Sequence, residues 1–366
     1  MSARPFVPPE FRLTSYAYEL PLERIAARPS PRRDSSRLLV LRARTGEIEL
    51  AHFRDLGQFL PAGSLLVANE SRVYPARLIG TRPSGGKVEL LLLTPPAFLA
   101  GKPQPSGLCT AEAQVLLKPA GRLRIGETIA IAPNLSAVLL EKGAFGRCRV
   151  GLAWRDDLAA IIEQTGRMPL PPYIRREPDP ADRERYQTVY ASRERTGSAA
   201  APTAGLHFTG ELIAQLRAAG FGLVFVTLHV GYGTFSPVRC ADIREHIMHS
   251  EWFEVPEETA EAIGQARAEG RPVVAIGTTT ARALEGLARE RGQVAAHRGA
   301  TDIFIRPGHE FRAVDHLITN FHLPGSSLLI MVSALAGREN IQAAYARALA
   351  EGFRFFSYGD AMLIVR

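Results

Sequence analysis

The sequence is poor in cysteine and has no long apolar run, and each of these two features argues against a class of protein. The 366 residues contain three cysteines, Cys109, Cys148 and Cys240, whose spacing argues against both a disulfide framework and a zinc site. The longest apolar run, 328–336, is far shorter than the ~20 residues of a membrane helix. Early prolines interrupt any signal-peptide layout. We therefore expect a cytoplasmic protein with no bound metal and no membrane attachment.

The charge is positive, and its origin has two explanations. The net charge is +7, which is typical of proteins that bind nucleic acid. Arginine supplies all but four of the 44 basic residues, a bias that a GC-rich genome also produces. The four lysines all fall within 69–163. A basic binding surface and a purely compositional bias both remain open at this point.

The texture of the chain changes twice, which predicts two domains. From Val73 to Gly151, short strand-like runs alternate with Gly and Pro turns, and helical patterning returns only at 156–165. This layout predicts a small antiparallel β-barrel at 69–163. The barrel would be inserted into a discontinuous α/β domain, residues 1–68 and 164–366, built on a mixed sheet with helices. Asn69 and Arg72 then lie at the crossing between the domains, where a substrate would be held.

Three strand–turn units in the second half of the chain predict one site. The helix capped by Thr209 leads into a strand over 222–230, which ends at His229 and a Gly-rich turn. A strand over 272–276 is followed by three threonines at a helix start, and a strand over 317–319 by Asn320 and His322. Because such strand ends converge at one edge of an α/β sheet, we expect their polar turns to meet there. The helix start after Gly277 would bind a carboxylate or ribose hydroxyls better than a triphosphate.

Two further clusters allow both a functional and a structural interpretation. Arg175, Arg176 and Arg185, interleaved with tyrosines, suit RNA phosphates and bases, although a solvated helix face explains these charges equally well. His246 and His249 at i, i+3 predict a shared helical face beside Glu251. Acid–base work or structural hydrogen bonding is favoured over metal binding there, since no metal signature is present.

At this point the motifs resemble a known family. They include YELP, RDSSRLLVL, NESRVYPARLIG, GGKVELLLL, MPLPPYIRR, DRERYQTVYA, APTAGLHFT, FVTLHVGYGTFSPV, HSEWFEV, GTTTARALE, LITNFHLPGSSLL and FRFFSYGDAM. In this order and over nearly the whole chain, they are similar to the S-adenosylmethionine:tRNA ribosyltransferase-isomerases of queuosine biosynthesis. The sequence departs from the usual pattern at Ala68, Glu70, Tyr232, Thr280 and Ala281.

The resemblance implies a reaction and its requirements. The ribosyl part of S-adenosylmethionine would be transferred and isomerised onto 7-aminomethyl-7-deazaguanine at the tRNA wobble position. Epoxyqueuosine would form, and adenine and methionine would leave. S-adenosylmethionine is then a substrate, no metal or redox cofactor is needed, and we expect a monomer. A general base must reach the ribose carbon beside the sulfonium, and a general acid must serve the departing adenine.

Residues of this sequence are assigned to these roles as predictions. The catalytic candidates are His207, His229, His249, Glu251, His322 and Asp360; His207 lies beside a helix start that favours its neutral form. The predicted donor-binding residues are Asn69, Arg72, Thr203, Gly205, Gly231, Gly233, Thr234, Thr278, Thr279, Thr280, Arg282 and Asn320. The predicted tRNA-binding residues are Lys87, Arg175, Arg176 and Arg185.

Two other classes of function stay open on sequence. One is an S-adenosylmethionine-dependent RNA methyltransferase, supported only by the Gly231–Gly233 turn and weakened because no helix follows that turn directly. The other is an RNA-binding protein without catalysis, which the arginine clusters alone would satisfy. The second class leaves the repeated polar turns at strand ends unexplained.

Overall fold

The computed structural model describes residues 6–231 and 237–366, so the predicted donor contacts Gly233 and Thr234, with Tyr232, lie outside the described residues. The strands are β1 (Arg37–Arg42), β2 (Glu47–His52), β3 (Leu65–Asn69), β4 (Arg72–Val73), β5 (Arg77–Thr81), β6 (Lys87–Leu92), β7 (Lys102–Pro103), β8 (Cys109–Lys118), β9 (Thr128–Ala132), β10 (Leu135–Lys142), β11 (Arg147–Trp154), β12 (Thr196–Ser198), β13 (Gly222–Leu228), β14 (Glu251–Val255), β15 (Val273–Ile276), β16 (His297–Thr301), β17 (His316–Asn320) and β18 (Ala361–Val365). The helices are α1 (Leu158–Thr165), α2 (Asp182–Arg185), α3 (Gly210–Ala218), α4 (Glu257–Ala268), α5 (Thr278–Arg291), α6 (Ser327–Ala336) and α7 (Arg338–Ala350).

A nine-stranded mixed sheet organises the larger part of the chain. Its order is β16-β14-β13-β3-β15-β17-β18-β1-β2. Strands β13, β3, β15 and β17 are parallel, whereas β18 is antiparallel to β17 and parallel to β1. The carboxyl ends of the four parallel strands therefore meet the amino ends of β18 and β1 at one edge. Because β14 is antiparallel to β13, its first residue, Glu251, lies at this edge as well.

The alternation of side chains along the central strands builds a core on each face of the sheet. Leu65 and Val67 of β3 face the side covered by α4 to α7, and Leu66 and Ala68 face the side covered by α3. Both sets are apolar, so β3 is buried on both faces, as a central strand between two helical layers requires. Helix α3 begins at the Thr209 cap, whose Oγ1 accepts the Leu212 N–H, and Gly220 beyond its end has φ +85°.

The inserted strands form a second, closed sheet. Strands β11, β10, β9, β5, β6 and β8 pair antiparallel in that order, and pairing of β11 with β8 closes the barrel. Its core draws on residues from Tyr74 to Ile162, including three residues of α1. The predicted fold class, an α/β domain with a small antiparallel barrel, is confirmed.

The structure differs from the sequence-based prediction near His246. The segment around His246 and His249 is a single short turn, 243–245, followed by irregular chain and then β14, so these histidines share no helical face.

Within 6–231 and 237–366, no helix is long and apolar enough to cross a membrane.

Candidate active site

A cavity opens at the edge where the strand ends converge. We call it the edge cavity. It is lined by Tyr173, Ala200, Ala201, Pro202, Thr203, Ala204, Val230, Pro237, Gly277, Thr278, Thr279, Thr319, Asn320, Phe321, His322, Leu323, Pro324, Gly325, Ser326, Leu328, Phe356 and Ser357. Most of its wall is apolar, with a few polar groups from the turns after β15 and β17, which is the usual make-up of a small-molecule site.

The amino end of α5 supplies hydrogen-bond donors to the edge cavity. Gly277 precedes the helix with φ +91°, which a side chain would make costly, and no side chain of the described residues caps the helix. The first intrahelical bond runs from the Ala281 N–H to the Gly277 carbonyl at 3.2 Å, so the N–H groups of the first turn have no partner in the helix itself. The Thr279 hydroxyl is buried without a hydrogen-bond partner among the described residues. The Thr280 hydroxyl instead donates to the Ile276 carbonyl at 2.8 Å.

Asn320, at the end of β17, presents an unpartnered acceptor. Its Nδ2 donates to His207 Nε2 at 3.0 Å and to the Phe356 carbonyl at 3.1 Å, which fixes the orientation of the amide. Its Oδ1 is buried and has no hydrogen-bond partner among the described residues. Asn320 and the first two residues of α5 therefore line the same cavity.

His207 lies behind Asn320 and does not line the edge cavity. Its Nε2 accepts from Asn320, and its Nδ1 donates to Ser36 Oγ at 2.7 Å, because the Ser36 hydroxyl is itself donated to the Arg33 carbonyl. Burial lowers the pKa of His207 to about 3, and the charges of Arg354 and Arg33 add to this effect. The neutral form is therefore favoured mainly by desolvation. With both ring nitrogens bonded to protein groups, His207 orients Asn320.

His322 is the histidine that lines the edge cavity. Its Nε2 is 2.8 Å from Thr319 Oγ1, which also lies 3.3 Å from the Asn320 carbonyl. In the tautomer with the proton on Nε2, that nitrogen donates to Thr319, and Nδ1 is an acceptor to which no described residue bonds. Burial lowers the pKa of His322 to about 3, which keeps the ring neutral.

Glu251 and Arg282 form a buried ion pair at the β14 end of the edge. Arg282 Nη1 donates to Glu251 Oε2, and Glu251 Oε1 accepts the Gly231 N–H at 3.1 Å. Arg282 Nε also donates to the Ile303 carbonyl. Thus a predicted catalytic residue and two predicted donor-binding residues are brought together, and the pair fixes the point where the chain leaves β13.

His229 and His249 lie where the main sheet meets the barrel. The His229 ring stacks on Trp252 with centroids 5.0 Å apart, and Phe98 of the barrel packs edge-on against it at 5.7 Å. Burial, aided by Arg195, lowers the pKa of His229 to about 4. His249 is exposed, and its pKa is lowered first by partial burial and then by Arg147 of the barrel.

Two residues predicted to act in the site, Asn69 and Asp360, bond the backbone within the protein. Asn69 Nδ2 donates to the Leu228 carbonyl, and its Oδ1 accepts the N–H groups of Ser71 and Leu228, so the side chain extends the β3–β13 pairing. Asp360 accepts the N–H groups of Arg37 at 3.0 Å and Arg354 at 2.8 Å. These side chains hold the strand ends in place.

Three other residues predicted to bind S-adenosylmethionine lie at different places relative to the edge cavity. Thr203 lines the edge cavity. At Gly205 a β-carbon would lie 2.1 Å from Tyr190 Oη, so glycine is needed there for packing. Arg72 lies in β4, paired with β12, away from the cavity wall.

The predicted tRNA-binding residues also separate into two groups. Arg176 makes a bidentate pair with buried Asp182, at 2.6 and 2.7 Å, and Arg185 donates to the Ser30 and Pro31 carbonyls. Both guanidinium groups therefore bond within the protein, and their contact with tRNA stays a prediction. Arg175 and Lys87 are exposed.

Comparison with known proteins settles the family. The family described as "Queuosine biosynthesis protein" matches residues 13–364. An S-adenosylmethionine:tRNA ribosyltransferase-isomerase from Nitratidesulfovibrio vulgaris (strain DP4) is 55% identical over 363 residues, covering 97% of this chain and 98% of that relative. An S-adenosylmethionine:tRNA ribosyltransferase-isomerase from Oleidesulfovibrio alaskensis is 52% identical, and the match covers 97% of this chain and 93% of that relative. The chain belongs to the queuosine biosynthesis family.

A solved structure supports the same assignment. The crystal structure of S-adenosylmethionine tRNA ribosyltransferase from Thermotoga maritima is 36% identical, with a TM-score of 0.54, and the match covers 96% of this chain and 100% of that one. The resemblance inferred from the motifs is thus confirmed. Within the described residues of this family member, no group of three or more His, Cys, Asp or Glu side chains could hold a metal ion.

Four residues that were not among the predicted site residues contact the histidines of the site. Ser36 bonds His207, Trp252 stacks on His229, and two tyrosines, Tyr18 and Tyr345, bond the backbone of His322. The tyrosines lie 304 and 23 positions from His322, so no local pattern could have connected them with it.

Proposed function

We propose that this family member transfers and isomerises the ribosyl group of S-adenosylmethionine onto 7-aminomethyl-7-deazaguanine at the tRNA wobble position. The products are epoxyqueuosine in the tRNA, free adenine and free methionine. The edge cavity is the binding site for S-adenosylmethionine in this proposal.

The proposal rests on hydrogen-bonding groups of residues that line the edge cavity and that have no partner among the described residues. S-adenosylmethionine ends in an amino acid, which has a carboxylate and an ammonium group. The α5 amino end and the Thr279 hydroxyl suit the carboxylate, because free N–H groups and the helix dipole favour an anion there. Asn320 Oδ1 suits the ammonium group, since it is an acceptor without a hydrogen-bond partner in 6–231 and 237–366.

His322 is the residue we assign to proton transfer at the ribose. The sulfonium acidifies the C–H of the ribose carbon bonded to sulfur, and His322 Nδ1 takes that proton while the electron pair stays on carbon. Burial lowers the pKa of His322, which makes the neutral ring a weaker base and the imidazolium a stronger acid. The imidazolium then gives its proton to adenine as the glycosidic bond breaks. In this assignment His207 and Asp360 are positioning residues.

Product analysis tests the function. The protein is incubated with S-adenosylmethionine and an anticodon stem-loop that carries the aminomethyl base, and the small molecules are identified. Adenine and methionine are expected. S-adenosylhomocysteine would instead show methyl transfer, and no turnover of either kind would leave an RNA-binding protein without catalysis.

The amino-acid subsite has its own test. We expect Thr279→Val to raise the KM for the donor about tenfold, the cost of about 1.4 kcal/mol for one lost hydrogen bond to a charged group. Thr259→Val is the matched control, because the Thr259 hydroxyl is equally buried but donates to the Phe225 carbonyl. Decarboxylated S-adenosylmethionine should bind the parent weakly and discriminate little between parent and Thr279→Val. An unchanged KM for Thr279→Val would remove the carboxylate from this place.

A further inference from the structure

The backbone of His322 is held on both sides by tyrosine hydroxyls. The His322 N–H donates to Tyr345 Oη at 2.9 Å, and the Tyr18 hydroxyl donates to the His322 carbonyl at 2.5 Å. Tyr345 projects from α7, whereas Tyr18 belongs to the chain that precedes β1. Two segments far apart in sequence thus hydrogen-bond the backbone of His322, which lines the edge cavity.

The two tyrosines are themselves fixed by packing. Their rings meet edge to face with centroids 5.2 Å apart, and Tyr345 also packs against Phe321 at 5.2 Å. Tyr345 is 2% exposed. Burial raises the pKa of both Tyr18 and Tyr345, so both remain protonated hydroxyls. Neither ring can shift without moving the other, because the edge-to-face contact joins them.

A third hydroxyl fixes the ring of His322. Thr319 Oγ1 lies 2.8 Å from Nε2 and 3.3 Å from the Asn320 carbonyl. When the Thr319 hydroxyl donates to that carbonyl, it accepts the proton of Nε2, and Nδ1 is left unprotonated. The backbone contacts fix the position of His322, and the Thr319 contact fixes its ring.

We propose that Tyr18, Tyr345 and Thr319 are positioning residues that hold His322 with Nδ1 directed at the reacting ribose. The inference rests on the proposed function, because it explains the contacts of His322, the residue to which we assign proton transfer. It also gives the chain before β1 a part in catalysis, although that segment lies outside both sheets.

The test compares tyrosine-to-phenylalanine variants that lose the same kind of bond. We expect Tyr18→Phe and Tyr345→Phe each to lower kcat about tenfold or more and to leave the KM for the donor within about threefold, as for an interaction that matters in the transition state. Tyr74→Phe is the matched control, because buried Tyr74 donates to the Leu92 carbonyl at 2.6 Å inside the barrel core. It should lose stability in the same way and keep the parent kcat.

Thr319 provides a rescue. Thr319→Val should lower kcat, and Thr319→Ser should restore most of it, because serine keeps the hydroxyl that fixes the tautomer. A kcat for Tyr18→Phe and Tyr345→Phe equal to that of Tyr74→Phe would overturn the inference, as would an equal loss in Thr319→Val and Thr319→Ser. If the parent itself releases no adenine from the donor, the proposed function fails; parent turnover with unaffected variants refutes the positioning role alone.

Discussion

Acid should destabilise this fold through two buried histidines and one half-buried histidine. His207, His229 and His322 have pKa values lowered to about 3, about 4 and about 3, in each case mainly by burial. A folded-state pKa below the unfolded value means that the unfolded chain binds more protons as the pH falls. The stability is therefore complete above pH 6.5, the unfolded value, and is lost as the pH falls toward 3.

The size of the loss follows from the shifts. Between pH 7 and pH 5, a histidine with an unfolded pKa of 6.5 and a folded pKa near 3 loses about 2 kcal/mol of stabilisation. Three such groups lose about 6 kcal/mol together, an upper value because water entry on partial opening relaxes the penalty. Against a typical unfolding free energy of about 5–15 kcal/mol, this loss is large.

Denaturant titrations at pH 7 and pH 5 measure it. The parent should lose several kcal/mol of unfolding free energy, and His322→Gln should show a pH dependence smaller by about 2 kcal/mol, because glutamine does not titrate. His52→Gln, an exposed position at the end of β2, is the control and should match the parent slope. Equal stability of the parent at pH 5 and pH 7 would refute the reasoning, and so would an unchanged slope in His322→Gln.

Further predictions concern structure, RNA contact and metal. Arg176→Ala should destabilise the fold by about 3–5 kcal/mol in denaturant titrations, because it leaves the Asp182 carboxylate buried without its cation. Arg175→Ala should leave stability unchanged and reduce the salt slope of tRNA binding by about 1; an unchanged slope would contradict RNA contact there. Glu285→Gln should cost about 2–4 kcal/mol, since the buried carboxylate accepts three consecutive N–H groups from 312–314; a Tm equal to the parent's would contradict this. Activity should survive exhaustive EDTA treatment, and a loss that zinc or magnesium restores would contradict a metal-free reaction.

Local patterns in the sequence predicted much of the architecture. The cap at Thr209, the stop at Gly220 and the apolar runs of the central strands each depend on neighbouring residues, and the structure has them all. The convergence of the turns after β15 and β17 follows from the direction of parallel strands, and Thr279, Asn320 and His322 do line one cavity.

Features that depend on distant partners were not predictable. The guanidinium group of Arg185 donates to backbone carbonyls more than 150 positions away in the sequence. The neighbouring residues of Arg185 give no sign of these partners. The edge strand β16 is partly exposed and polar, and its sequence, HRGAT, carries no strong strand pattern. The histidines near 246–249 have helical spacing, but the Glu251–Val255 strand begins too soon to leave room for a helix.

The fate of the ribose carbons is the most direct measurement. Two preparations of S-adenosylmethionine, one labelled in the ribose and one in the methyl group, are incubated with the protein and the stem-loop that carries the aminomethyl base. The ribose label should enter the RNA and the methyl label should leave with methionine. Methyl label in the RNA with the ribose label retained in S-adenosylhomocysteine would contradict ribosyl transfer.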